Sequence, residues 1–128
     1  MKKILLAFDG GESAQRALET AASLARAFAA ELAVVSVVPD HLADSAEAAH
    51  RARDLQGARE RLADLGVDAD LLEPAGDPAR KIEQIAEEGG YDTIVLGARH
   101  PSDPARPPGG GVSSHVMAHA TGVVVVTH

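Results

Sequence analysis

The chain has 128 residues and a formal net charge of −7, with 45% hydrophobic, 24% charged and only 2% aromatic residues, and no cysteine. This length predicts one domain over residues 1–128, with a core built from Ala, Leu, Ile and Val. The composition excludes a disulfide framework and a thiolate metal site, and the acidic balance argues against nucleic acid as a partner.

The apolar run from Ile4 to Phe8 is too short for a secretory leader and meets Asp9 at once. No stretch approaches the length of a membrane span. The expected location is therefore cytoplasmic, with no membrane partner.

Taken in chain order, apolar runs alternate with helical periods. Lys3–Phe8 reads as a buried strand, and Ala14, Ala17, Leu18, Ala21, Leu24, Ala25 and Phe28 recur at helical spacing. Leu32–Val38 is a second apolar strand, ended by Pro39. Leu55, Ala58, Leu62 and Leu65 give a second helix face that stops at Gly66. Val67–Glu73 alternates apolar and polar residues as a strand with one wet face does. Asp77 then stands as N-cap before Pro78, opening a third helix that carries Ile82, Ile85 and Ala86 and closes at Gly89-Gly90. Asp92–Gly97 is a fourth strand, Val112–Ala120 a short fourth helix and Val123–Thr127 a last strand.

Regular alternation of strand and helix predicts an α/β fold, a doubly wound parallel sheet of five strands with helices on both faces. Continuous apolar strands are those covered on both sides, so the third, alternating strand belongs at an edge. Four valines at an opposite edge need cover, because natural edges are usually blunted by charge or brevity. That cover is the same strand of a second subunit, giving a homodimer through Val123–Thr127, or else a loop of the chain itself.

In such a sheet, ligands bind beyond the carboxyl ends of the strands, where strand order reverses. Strands one and four are expected at the centre, which brings Asp9 and the segment after Gly97 to one rim. Asp9 has two compatible roles there: accepting from a ribose or holding a cation, and forming a capping box with Glu12. Gly109-Gly110-Gly111-Val112-Ser113 leads into the fourth helix, and glycines before a helix let backbone N–H groups converge on an anion. Ser113 or Ser114 donates to a phosphate or caps the helix. Arg99 and Arg106 against the single acid Asp103 make this loop locally positive, by design for an anion or by chance on a solvated loop.

With these residues in place, the chain resembles the universal stress proteins. Ala7-Phe8-Asp9-Gly10-Gly11 is similar to that family's AxDGS start, and Gly76-Asp77-Pro78 to its Gly-Asp-Pro before the third helix. Its ATP-binding members carry G-x-x-G, nine residues, then G-[S/T]. Gly97, the nine residues from Pro101 to Gly109, and Gly110 fall on that spacing.

The resemblance covers the whole chain and implies a strand order of 3-2-1-4-5 in an adenine nucleotide α-hydrolase-like fold. It implies adenine at the ends of the first two strands and phosphates at the last loop. Carried over by position, the binding residues are Ala7, Asp9, Val37, Gly97, Arg99, His100, Gly110, Gly111, Val112 and Ser113, with ATP, as its Mg2+ complex or alone, as the cofactor.

Two positions depart from the pattern. His100 replaces the second glycine, which places an imidazole near the phosphates, to crowd them or to donate to them. His visits the left-handed conformation more readily than most residues. Gly111 replaces Ser/Thr, keeping the N–H but losing a hydroxyl contact of about 1 kcal/mol. The prolines at 101, 104, 107 and 108 have no N–H to offer and stiffen the arch.

Outside this motif the sequence is less specific. His115 and His119 stand at i, i+4 spacing, but without a matching carboxylate they read as an exposed helix face, and no metal site is assigned. No Ser/His/Asp set is supported, so no catalytic residue is assigned.

The expectation is a stress-response protein that binds ATP or a related adenine nucleotide in a regulatory or protective role, with at most slow hydrolysis. The alternative is a dimerising stress protein whose pocket no longer binds nucleotide, and a further one is a slow nucleotide hydrolase.

Overall fold

A computed structural model of the chain describes residues 1–8, 12–42, 45–97, 116 and 122–127. In chain order these form β1 (Lys3–Ala7), α1 (Glu12–Phe28), β2 (Glu31–Val35), a 3₁₀ turn (Asp40–Leu42), α2 (Ala46–Asp64), β3 (Ala69–Leu72), α3 (Pro78–Glu88), β4 (Thr93–Gly97) and β5 (Val123–Thr127). The strands make one parallel sheet in the order β3-β2-β1-β4-β5. The expected order and both edges are therefore observed. The fourth helix expected over Val112–Ala120 lies outside the described residues apart from Val116, which is helical and fully buried.

Period-two alternation divides the strands between two cores. Ile4, Leu6, Leu32, Val34 and Val95 face α1 and α2, where they meet Ala14, Ala17, Leu18, Ala21, Leu55, Ala58 and Leu62. Leu5, Ala33, Val35, Val37, Ile94 and Leu96 face the other way, onto Ile82 and Ala86 of α3 and onto Val116. Helices thus cover both faces, and the chain changes face when it crosses from β3 to β4. Truncating a fully buried side chain such as Leu18 or Leu62 to alanine would cost about 3 kcal/mol.

Local signals explain where the helices begin and end. Ser45 caps α2, its Oγ accepting from the Ala48 N–H at 3.4 Å and donating to the Leu42 carbonyl at 2.6 Å. Asp77 caps α3, accepting from the Arg80 N–H at 3.1 Å, with Pro78 in the first turn where no N–H is needed. At the end of α2 the Gly66 N–H donates to Ala63 O and the Val67 N–H to Leu62 O, a Schellman closure with Gly66 left-handed at φ 82°. α1 closes with the matching bond from the Ala30 N–H to Ala25 O, but there the left-handed position is held by Ala29 at φ 52°.

Several expected boundaries shift. β2 stops at Val35 instead of Val38, although Val38 keeps an isolated bridge to Ala75. β3 is shorter than Val67–Glu73 at both ends, and α2 begins at Ala46, well before its apolar face. For the strands the cause is that pairing, which an apolar run does not record, sets where a strand ends; α2 starts where Ser45 caps it.

Candidate functional site

Chain reversal lies between β1 and β4: the steps to β2 and β3 run to one side of β1, those to β4 and β5 to the other. The carboxyl rim at this point is bounded by Ala7 and Phe8 after β1, Ser36 to Pro39 after β2, Pro74 to Gly76 after β3, and Gly97 at the end of β4.

β2 and β3 stay together at this rim. The Ser36 N–H donates to Leu72 O at 3.0 Å, the Val38 N–H to Pro74 O at 2.9 Å, and the Gly76 N–H to Val38 O at 2.9 Å. Between β1 and β2, the last bond among the described residues is from the Phe8 N–H to Val35 O, at 2.9 Å. Because Ser36 and Val38 turn their N–H groups to β3, extended geometry turns that of Val37 the other way, over the end of β1. Among the described residues nothing accepts from the Val37 N–H. A main-chain donor at the strand reversal is thus turned toward the end of β1.

The Val37 carbonyl, by contrast, is engaged. Arg51 of α2 donates to it from Nη1 at 2.9 Å, while its Nε donates to Glu47 Oε1 at 3.1 Å. The Arg51 side chain is only 22% exposed, so its guanidinium is partly withdrawn from solvent beside the end of β2. This residue escaped the sequence analysis. The i, i+4 pair Glu47/Arg51 is visible in the sequence, but it reads as an ordinary pair on a helix surface.

On the other side of β1, Gly97 lets α1 come close. A Cβ at Gly97 would lie 2.5 Å from the carbonyl carbon and oxygen of Ser13. Thr127, at the end of β5, donates from Oγ1 to the same Ser13 oxygen at 3.3 Å. The amino end of α1 is thereby seated against the ends of β4 and β5.

Of the expected binding residues, Ala7, Val37 and Gly97 are placed at this rim. Asp9, Arg99, His100, Gly110, Gly111, Val112 and Ser113 lie outside the described residues, as do His115 and His119. Among the described residues no group of three His, Asp or Glu side chains converges to hold a metal ion. Likewise, no helix is long and apolar enough to cross a membrane.

The opposite end of the sheet is closed by charge. The Asp92 carboxylate accepts from the Lys2 N–H at 2.7 Å, the Lys3 N–H at 3.3 Å and the Thr93 hydroxyl at 2.8 Å. These bonds, the Lys2 N–H foremost, hold its pKa below the usual carboxylate range. Lys3 Nζ donates to Gly89 O and lies 4.6 Å from the centre of the Tyr91 ring. Burial, reinforced by Asp70 and Glu31, raises the Tyr91 phenol above its ordinary value.

A doubly wound parallel sheet whose strand order reverses between β1 and β4 defines the broad class of the protein. The universal stress protein family model matches residues 1–128. The chain belongs to the universal stress protein family. The universal stress protein YxiE of Bacillus subtilis (strain 168) is 31% identical, over 76% of this chain and 78% of that protein. Universal stress protein UspA from Lactobacillus plantarum superposes with a TM-score of 0.86 at 29% identity, over 99% of this chain and 97% of that one. The universal stress protein from Archaeoglobus fulgidus in complex with dAMP has the same fold, with a TM-score of 0.82 at 23% identity, over 100% and 98% of the two chains.

Proposed function

We propose that the carboxyl rim at the strand reversal binds ATP or a related adenine nucleotide, and that the protein acts in the cytoplasm as a regulatory or protective stress protein. The observation that carries this reading is the Val37 N–H at the strand reversal, turned toward the end of β1 with no acceptor among the described residues. A flat base edge needs such main-chain groups beside apolar residues, and Ala7 and Val37 are the apolar residues of this rim that the expectation named.

The base lies at Ala7 and Val37, with Asp9 toward the ribose. The phosphates lie at Gly97, Arg99, His100 and the segment Gly110 to Ser113, with Mg2+ accompanying them. Among the described residues, the Val37 N–H is a main-chain donor available to the base. The complex of the Archaeoglobus fulgidus relative with dAMP supports an adenine nucleotide as the ligand class. β5 pairs with its copy in a second subunit, giving a homodimer.

The test is a calorimetric titration of the purified protein with ATP and Mg2+ up to millimolar concentration, with mass analysis of any nucleotide released on heating. Saturable binding, or a co-purified adenine nucleotide, is expected. A flat titration with no released nucleotide would overturn the reading and leave a protein that works through protein contacts alone.

A further inference from the structure

The outer edge of β5 matches a copy of itself in one register. The Val123 N–H donates to Asp92 O at 3.0 Å, and the parallel ladder runs from Thr93↔Val123 to Gly97↔Thr127. Val123, Val125 and Thr127 therefore turn both main-chain groups to β4. The N–H and C=O of Val124 and Val126 point away from the sheet. β5 is the last strand on this side. Among the described residues nothing pairs with those outward groups, and Val123 is 51% exposed.

A two-fold axis that joins β5 to its copy makes the two strands antiparallel, and outward groups must meet outward groups. The residue on the axis then sets the register. With the axis moved to Val126, Val124 faces a residue beyond the end of β5, and Val123 has no strand beside it. With the axis moved to Val124, Val126 faces the partner's Gly122, which lies outside β5 and has no side chain. Gly122 is also pressed against β4, since a Cβ on it would fall 2.5 Å from Asp92 O.

At Val125 both ends match. Val124 exchanges both hydrogen bonds with the partner's Val126, and Val126 does so with the partner's Val124. Val123 lies opposite the partner's Thr127. Every facing pair is then β-branched, the kind that packs well across strands.

We propose that β5 pairs antiparallel with β5 of a second copy, with the two-fold axis at Val125, to form one continuous sheet across both copies. The proposal rests on the homodimer reading above and fixes its register. Because the two strands run in opposite directions, the two carboxyl rims lie at opposite ends of the joint sheet and do not border each other.

The chain has no cysteine, so introduced cysteines report the register without background. Val125→Cys stands at a non-hydrogen-bonded pair on the axis, with Cα atoms about 4.5 Å apart, within reach of a disulfide. In the same register Val124→Cys and Val126→Cys are each offset by two positions from their own copies, beyond the roughly 7 Å that a disulfide spans. The double variant Val123→Cys/Thr127→Cys reads the same register at the strand ends, without changing Val125. Each variant is treated with a mild thiol oxidant and run on a denaturing gel without reductant. Circular dichroism checks each fold, and the wild type is sedimented in parallel.

The wild type is expected to sediment as a dimer. Val125→Cys and the double variant are expected to become covalent dimers, while Val124→Cys and Val126→Cys stay monomeric on the gel. Faster cross-linking of Val124→Cys or Val126→Cys would overturn the register and leave the homodimer standing. A wild-type dimer in which no folded variant cross-links would overturn pairing through β5. A wild-type monomer at high concentration would overturn the homodimer reading and this proposal with it.

Discussion

Gly97 lies so close to Ser13 that a methyl group on it would fall 2.5 Å from the Ser13 carbonyl carbon and oxygen. The clash is with backbone, so it cannot be relieved by a side-chain rotation. Gly97→Ala is expected to cost about 1–3 kcal/mol, as overpacking does, by pushing the amino end of α1 off β4. The measurement is a denaturant midpoint, paired with an ATP titration. A midpoint equal to wild type would show that α1 does not sit this tightly.

Ala29 holds a left-handed conformation, φ 52°, at the close of α1, where Gly66 does the same work after α2. Ala29→Gly removes the steric penalty of an alanine there and adds some chain entropy to the unfolded state. A net gain of roughly 0.5–1 kcal/mol is expected, raising the melting midpoint by about 3 °C. A lower midpoint would contradict the left-handed turn.

Asp92 links the chain start to β4 through the N–H groups of Lys2 and Lys3. Its folded pKa is depressed, so the stability it contributes is fully present above the unfolded carboxylate pKa. That contribution is lost as pH falls through the folded value. Asp92→Asn is expected to be less stable than wild type at pH 7, with the difference shrinking as pH drops from about 5 toward 2. Denaturant midpoints at several pH values test this. A difference constant over that range would place the effect of Asp92 in packing rather than charge.

β5 is an edge strand whose Val123 is 51% exposed. The Val123 N–H donates inward to Asp92 O at 3.0 Å, so alternation turns the N–H groups of Val124 and Val126 toward the open edge. Val124→Pro removes one of these outward donors and leaves pairing with β4 in place. The variant is expected to sediment as a folded monomer while the wild type sediments as a dimer. A wild-type monomer at high concentration would remove the reason for the edge-to-edge pairing.

How much of this was legible beforehand varies with the physics of each feature. The caps at Asp77-Pro78 and the stop at Gly66 are local, so their residue types alone predict them. The apolar runs of β1 and β4 and the alternation of β3 likewise report burial on two faces or one, which yields the sheet and its edges. The spacing from Gly97 to Gly110 carried the resemblance to the family, because a glycine pattern reflects backbone demands that few other residues meet.

The site's finer geometry had no such local signature. Glu47 and Arg51 look like any surface pair until the fold brings the Val37 carbonyl, 14 positions away, to the guanidinium. Gly97 looked like the first glycine of a phosphate loop, and the structure adds that it is needed for contact with Ser13. The sequence by itself determined the elements, their order along the chain and the family, since periodicity and capping act over a few residues. Only the tertiary structure decided that β2 turns to β3 beyond Val35, which way the Val37 main chain faces and that Arg51 holds its carbonyl. Those depend on hydrogen bonds between residues far apart in the chain, and no local pattern encodes them.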